Sequence, residues 1–258
     1  MEGMAAASLQ KISDTIATLL RIGELPDYGG AMNGLQLQND SGTVVRLLAA
    51  VDASLPVLQK AAAFSGPSLL LVHHGLFWKG AQMITGAQFE KLHAAMRSGL
   101  AVFSAHLPLD VHPQLGNNAC LAAALGFRKT VPFFDWKGMP LGLRAKVNLS
   151  RAALTTRLAA AVGGPVHVCP GGPDDVREVG IITGGAGSEV SAIAATGVDT
   201  FITGEGPHWS YPAAEEAGIN VLYGGHYATE TFGVKALAAH LAGVFKLPWE
   251  FIDHPTGL

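Results

Sequence analysis

The side chains in this 258-residue sequence that could do chemistry together gather in four short stretches. These are "LLLVHHG" with His73 and His74, "SAHLPLD" with His106 and Asp110, "FITGEG" with Glu205, and "GGHYATE" with His226 and Glu230. Imidazole and carboxylate are the donors that hold divalent transition ions. Imidazole suits zinc, iron, copper and nickel, and carboxylates can bridge two ions. If "HYATE" opens a helix, its spacing puts His226 and Glu230 on one face a turn apart, as chelation requires. His106 and Asp110 share that spacing, although Pro108 between them weakens the case for a regular helical turn. Gly75, Gly224 and Gly225 flank the candidates and allow sharp turns or close backbone approach. One catalytic zinc takes three or four protein ligands, so a larger set favours two ions over one. His93, His167, His240 and His254 have no such neighbours and read as structural.

The elements that must position these groups follow from hydrophobic periodicity. "SLQKISDTIATLLRI" places Leu9, Ile12, Ile16, Leu19 and Leu20 on one helical face. After a Gly/Pro-rich loop come "VVRLLAAVD", "SLLLV" and "LAVFSA" as strands, separated by "LPVLQKAAAF" and "AQFEKLHAAMRSG" as helices. Short apolar runs without polar alternation suit strands covered on both faces, and helix-length spacers suit parallel crossovers. "TVPFFDWKGMPLGLRAKV" interrupts the alternation, which then resumes to a long helix over "TETFGVKALAAHLAGVF" and a last strand, "WEFID". The fold class expected is α/β, in two domains over residues 1–128 and 129–258, with the C-terminal elements free to pack back on the first. The halves also match each other: Asp52 aligns with Gly184, His74 with Glu205, and His106 with His226. An internal duplication is the reading. Each reactive group then falls just past the C-terminal end of a strand, the edge at which open α/β sheets bind ligands.

Composition removes other classes. A net charge of −3 without Lys/Arg clusters argues against a general nucleic-acid binder. Two cysteines, outside any C-x-x-C pair, supply neither a disulfide framework nor a thiolate zinc site. The first residues lack a basic region and an unbroken apolar core, and no apolar run reaches membrane-spanning length, so a cytoplasmic protein is expected. P-loop and G-x-S-x-G patterns are absent, and "GGAG" at 184–187 lacks the full dinucleotide-binding spacing and reads as a turn.

With "LLLVHHGLFWKG", "SAHLPLD", "NNACLAAALGF", "FITGEGPHWS" and "GGHYATETFGVKAL" in order, the sequence resembles the NIF-three-like dinuclear metal centre proteins, often named GTP cyclohydrolase 1 type 2. The resemblance implies two similar α/β domains, a toroidal homohexamer, and two divalent ions per subunit (zinc, iron or manganese) bound between the domains. Carried over by position, His73, His74, Asp110, His226 and Glu230 would be the ligands, with His106 a further ligand or neighbour and Glu205 and His208 facing the same cleft. His106, Glu205 and His208 are then the candidates to shuttle protons or orient a small-molecule substrate. The chemistry expected is hydrolysis by a metal-bridging hydroxide, with a purine nucleotide as the substrate suggested by the name. A metal-handling protein, or a scaffold ring with non-catalytic ions, is the alternative. "DYGGAMNGLQL" departs from the family segment: Asn33, Gly34, Leu35 and Gln36 are kept, while its tryptophan and aspartate are missing. The chain is also too short for the domain that longer relatives insert between the halves.

Overall fold

The computed structural model describes residues 6–258. It is an α/β chain of two compact units, one running to Leu109 and including Val234–His254, the other Asp110–Gly233 with Pro255–Leu258.

The first unit is built on a five-stranded sheet in the spatial order Trp249–Phe251, Arg46–Asp52, Ser68–His74, Leu100–Ser104, Gly34–Leu37. The first four strands are parallel and the last is antiparallel to its neighbour. Leu48, Ala50, Leu70, Val72, Leu100 and Val102 pack in one cluster with Val57, Leu58 and Ala61 of helix Leu55–Ala62 and Leu92 and Ala95 of helix Gly86–Ser98. The alternate residues Leu47, Ala49, Leu69, Leu71, Ala101 and Phe103 are buried as well. Both faces are therefore covered, which is why these strands read as continuous apolar runs. Each fully buried Leu or Val contributes about 1.5–3 kcal/mol, so the four residues Leu69–Val72 offset about 6–12 kcal/mol of ordering cost. In the opening helix, Leu9–Leu19, the Ser8 hydroxyl accepts from the Lys11 amide and Leu9, Ile12 and Ile16 are buried. Strand Ser68–His74 runs two residues further than its apolar run suggests, so His73 and His74 are its last two residues rather than the loop beyond it.

The second unit has a six-stranded mixed sheet in the order Thr130–Trp136, Met139–Ser150, Asp175–Ile181, Thr200–Thr203, Asn220–Tyr223, His167–Pro170. Asp175–Ile181, Thr200–Thr203 and Asn220–Tyr223 are mutually parallel, and the outer strands are antiparallel to their neighbours. The segment expected to interrupt the alternation is a β-hairpin: Lys137 and Gly138 link its strands with φ of 52° and 81°. Positive φ at both central residues is what a two-residue turn matched to strand twist requires. Leu121, Leu154 and Leu158, from helices Asn117–Ala124 and Arg151–Val162, cover Val179, Ile181, Ile202 and Leu222. The long helix runs His226–Phe245, so it starts at the first residue of "HYATE". No helix among the described residues is long and apolar enough to cross a membrane.

Candidate metal centre

In the first unit, parallel pairing of Val72 with Ser104 brings the end of one strand beside the turn that follows the next. His73, His74 and His106 meet there, with ring centroids 4.9 Å (73–74), 4.8 Å (73–106) and 5.6 Å (74–106) apart. One nitrogen from each can be chosen so that all three lie within 4.8 Å of one another. His73 and His106 are buried and His74 is half-buried. Every Nδ1 is engaged: that of His73 2.9 Å from the Ala105 carbonyl, that of His74 2.9 Å from Asp52 Oδ1, and that of His106 2.7 Å from Asp27 Oδ1. A carbonyl or carboxylate oxygen only accepts, so the proton sits on Nδ1 and the lone pair of each neutral ring is on Nε2. Metal-binding histidines are held in this way, with the second ring nitrogen donating to an oxygen. The donor set therefore fits a divalent transition ion.

Two of these acceptors lie outside the sequence-derived candidates. Asp52 ends its strand in register with His74, one strand over. Asp27 opens the segment "DYGGAMNGLQL" and supplies a carboxylate six residues before Asn33. Its Oδ2 accepts from Asn33 Nδ2 (2.7 Å) and from the Leu107 amide (3.0 Å), while Asn33 Oδ1 accepts from the His106 amide (2.7 Å). Burial alone would raise the Asp27 pKa, but its bonds to His106 and Asn33 outweigh this and hold it below the usual carboxylate range. Gln36, also in this segment, accepts from the Leu76 amide at 2.6 Å and donates to the Ala31 and Met32 carbonyls, tying the loop to the chain beyond His74. The only hint in the sequence was acid and amide residues in a glycine-rich loop.

In the second unit, the helix beginning at His226 places Glu230 one turn on, and His226 Nε2 lies 3.2 Å from Glu230 Oε2. Glu205, two residues past strand Thr200–Thr203, accepts from His226 Nδ1 at 2.8 Å. Burial pulls the His226 pKa down, but the carboxylates of Glu230 and Glu205 more than reverse this and push it up to about 9. A divalent cation competes with that proton for the same Nε2 lone pair. "GGAG" proves to be the turn the sequence suggests, with a further role. Gly184 has φ +72°, and a Cβ there would overlap Glu230 Oε1 and come within 3.5 Å of His226 Nε2. Its amide meets Thr229 Oγ1 and its carbonyl accepts from the Gly204 and Glu205 amides.

Asp110 ends the short helix Leu107–Asp110, with Pro108 in its first turn, where no amide is lost from the helical ladder. It is buried, and its Oδ1 accepts from Asn117 Nδ2 at 2.8 Å; Asn118 Oδ1 accepts from the Thr183 amide at 2.9 Å. His208 is exposed and lines an open cleft of about 870 Å³ together with Glu205.

Fold and side-chain chemistry thus define an α/β protein carrying buried histidine and glutamate groups able to hold a metal ion. Comparison with known proteins places it more closely. The chain belongs to the DUF34/NIF3 (NGG1p interacting factor 3) family, whose profile matches residues 7–256. It is 42% identical over 241 residues to the GTP cyclohydrolase 1 type 2 homolog of Deinococcus radiodurans, covering 93% of this chain and 90% of that protein. It is 40% identical over 244 residues to the protein of the same name from Halobacterium salinarum, covering 93% and 95%. Among solved structures, TTHA1606 from Thermus thermophilus superposes with a TM-score of 0.87 at 38% identity, over 98% of this chain and all of that one.

Proposed function

We propose that this chain is a cytoplasmic, metal-dependent hydrolase of a small substrate, with a purine nucleotide as the substrate class suggested by its relatives' names. His73, His74, Asp110, His226 and Glu230 would hold two divalent ions, with His106 beside them. The observation that carries this reading is the proton arrangement of the imidazoles. His73, His74, His106 and His226 each have Nδ1 on an acceptor-only oxygen, three of the four on a carboxylate. Tying down the same nitrogen in each of the four rings has a plain purpose if each Nε2 is to hold a cation. When bound, two ions supply Lewis acidity and bring the pKa of a coordinated water toward neutrality. The chain's own groups supply the rest: Glu205 steadies His226, and the exposed imidazole of His208 is available to pass a proton to a leaving group.

The test is elemental analysis of protein stripped with chelator and reloaded with zinc, iron(II) or manganese, followed by an assay of GTP turnover. Close to two ions per chain are expected, with His73→Ala and His226→Ala each losing most of the metal and all of the turnover. No more than trace metal after reloading would overturn the metal centre. Two ions without turnover of GTP or related nucleotides would leave a metal-handling protein in place of the hydrolase.

A further inference from the structure

The cleft that Glu205 and His208 line lies wholly in the second unit. Its volume, about 870 Å³, is in the range of small-molecule sites. Its walls carry rings. His167, on the edge strand, lies 5.8 Å from Tyr211 and 6.0 Å from Tyr223 between centroids. Two of its polar groups have a direction fixed by their neighbours. The Ser210 hydroxyl donates to the Pro207 carbonyl at 2.6 Å, so in its 2.7 Å bond with Tyr223 it accepts, and the Tyr223 O–H is the donor. The phenol oxygen therefore turns only lone pairs outward. Burial pushes the Tyr223 pKa up, so it stays a neutral phenol. Glu205 has Oε1 on His226, leaving Oε2 as a second acceptor in the cleft. None of the described residues lining the cleft is Lys or Arg.

An aromatic-walled cleft with a carboxylate and no Lys or Arg suits a flat ring bearing N–H donors and repels a phosphate. We infer that this cleft binds an amino-substituted heteroaromatic ring, with Glu205 accepting from adjacent ring and amino N–H groups, Tyr211 stacking on its face, and any phosphate held outside. The inference rests on the proposed reading of a purine-type substrate and deepens it: recognition is of the base rather than the phosphates. A carboxylate matched to two adjacent N–H groups favours that ring over one lacking the second N–H, because a charge-assisted hydrogen bond is then lost.

Calorimetric titration of the purified protein, native and chelator-stripped, with guanosine, inosine and GTP tests this. Guanosine is expected to bind both forms, inosine, which lacks the exocyclic amine, at least tenfold more weakly, and GTP no more tightly than guanosine. Tyr211→Ala, checked for native circular dichroism, should weaken guanosine about fivefold or more, the lower end for loss of a stacking ring. The inosine comparison needs no variant and decides the matter if Tyr211→Ala does not fold. Absence of guanosine binding, equal binding of inosine, tenfold tighter binding of GTP, or an unchanged affinity in folded Tyr211→Ala would each overturn the inference. Guanosine selectivity without metal or turnover would overturn the hydrolase alone, and GTP turnover with an unchanged KM in Tyr211→Ala would overturn the cleft alone.

Discussion

Gly184→Ala perturbs the His226–Glu230 pair without removing either side chain. Gly184 sits at φ +72°, where an L-residue costs about 1–2 kcal/mol. The new methyl would also overlap Glu230 Oε1, and overpacking of this kind costs about 1–3 kcal/mol. Glu230 is only 3% exposed. Its carboxylate can relieve the overlap only by leaving its place 3.2 Å from His226 Nε2, or by pushing back the turn that carries the alanine. The first relief lowers the stability cost to that of the φ angle and passes the damage to the metal site. The second keeps the site and costs about 2–5 kcal/mol in total. Gly197→Ala separates the two contributions. Gly197 lies at φ +82° in the same unit, and a methyl added there would meet nothing within 4 Å, so it carries the backbone cost alone. Urea unfolding and metal titration on both variants make the comparison. Gly197→Ala should lose about 1–2 kcal/mol with metal affinity unchanged. Gly184→Ala should either bind its ion about tenfold or more weakly, the scale seen when groups supporting a metal ligand are disturbed, or keep its affinity and lose about 2–5 kcal/mol of stability. Parent-like metal affinity and a stability equal to that of Gly197→Ala would show that Glu230 moves freely at no cost, and the reasoning about this turn would fail.

Other consequences are simpler to check. Asp27→Asn removes the charge behind His106 Nδ1 and should lower metal affinity about 10- to 100-fold while the chain still folds, measured by titration with zinc. Trp78 lies 4.7 Å from the His106 ring and 5.4 Å from that of His74; cobalt(II) should quench tryptophan fluorescence in the parent and far less in Trp78→Phe. Burial raises the thiol pKa of both Cys120 and Cys169, so the thiolate fraction at pH 8 is small. Both should react with a disulfide reagent many times more slowly in the native protein than in urea, and faster as the pH is raised. The hexamer implied by family resemblance should scatter light as six times the 26.8 kDa chain mass; a stable monomer at micromolar concentration would remove it.

What the sequence could and could not show about this site divides along a physical line. His73, His74, His106 and His226 were legible because a buried strand must end its apolar run somewhere, and these histidines stand at or just past such ends, the edge at which open α/β sheets bind ligands. The spacing of His226 and Glu230 could be read because helix geometry is local. The hairpin over residues 130–150 was hidden because its turn uses Lys137 in a positive-φ conformation that favours Gly, Asn or Asp. Asp52 and Asp27 were hidden for another reason. Asp52 meets His74 through the register of two strands 22 residues apart, and Asp27 meets His106 across 79 residues from an irregular loop. Neither distance leaves a periodic trace. Yet once those pairings are known, Glu205 falls into the same pattern: Asp52 on His74, Asp27 on His106 and Glu205 on His226 each place a carboxylate on Nδ1. Three unrelated local structures, a strand end, a loop and a strand-to-helix turn, converge on one chemical relation. Packing alone gives no reason for that convergence, since a buried imidazole is equally well satisfied through either nitrogen. Under the proposed metal centre it has one: each ring then presents Nε2 to an ion.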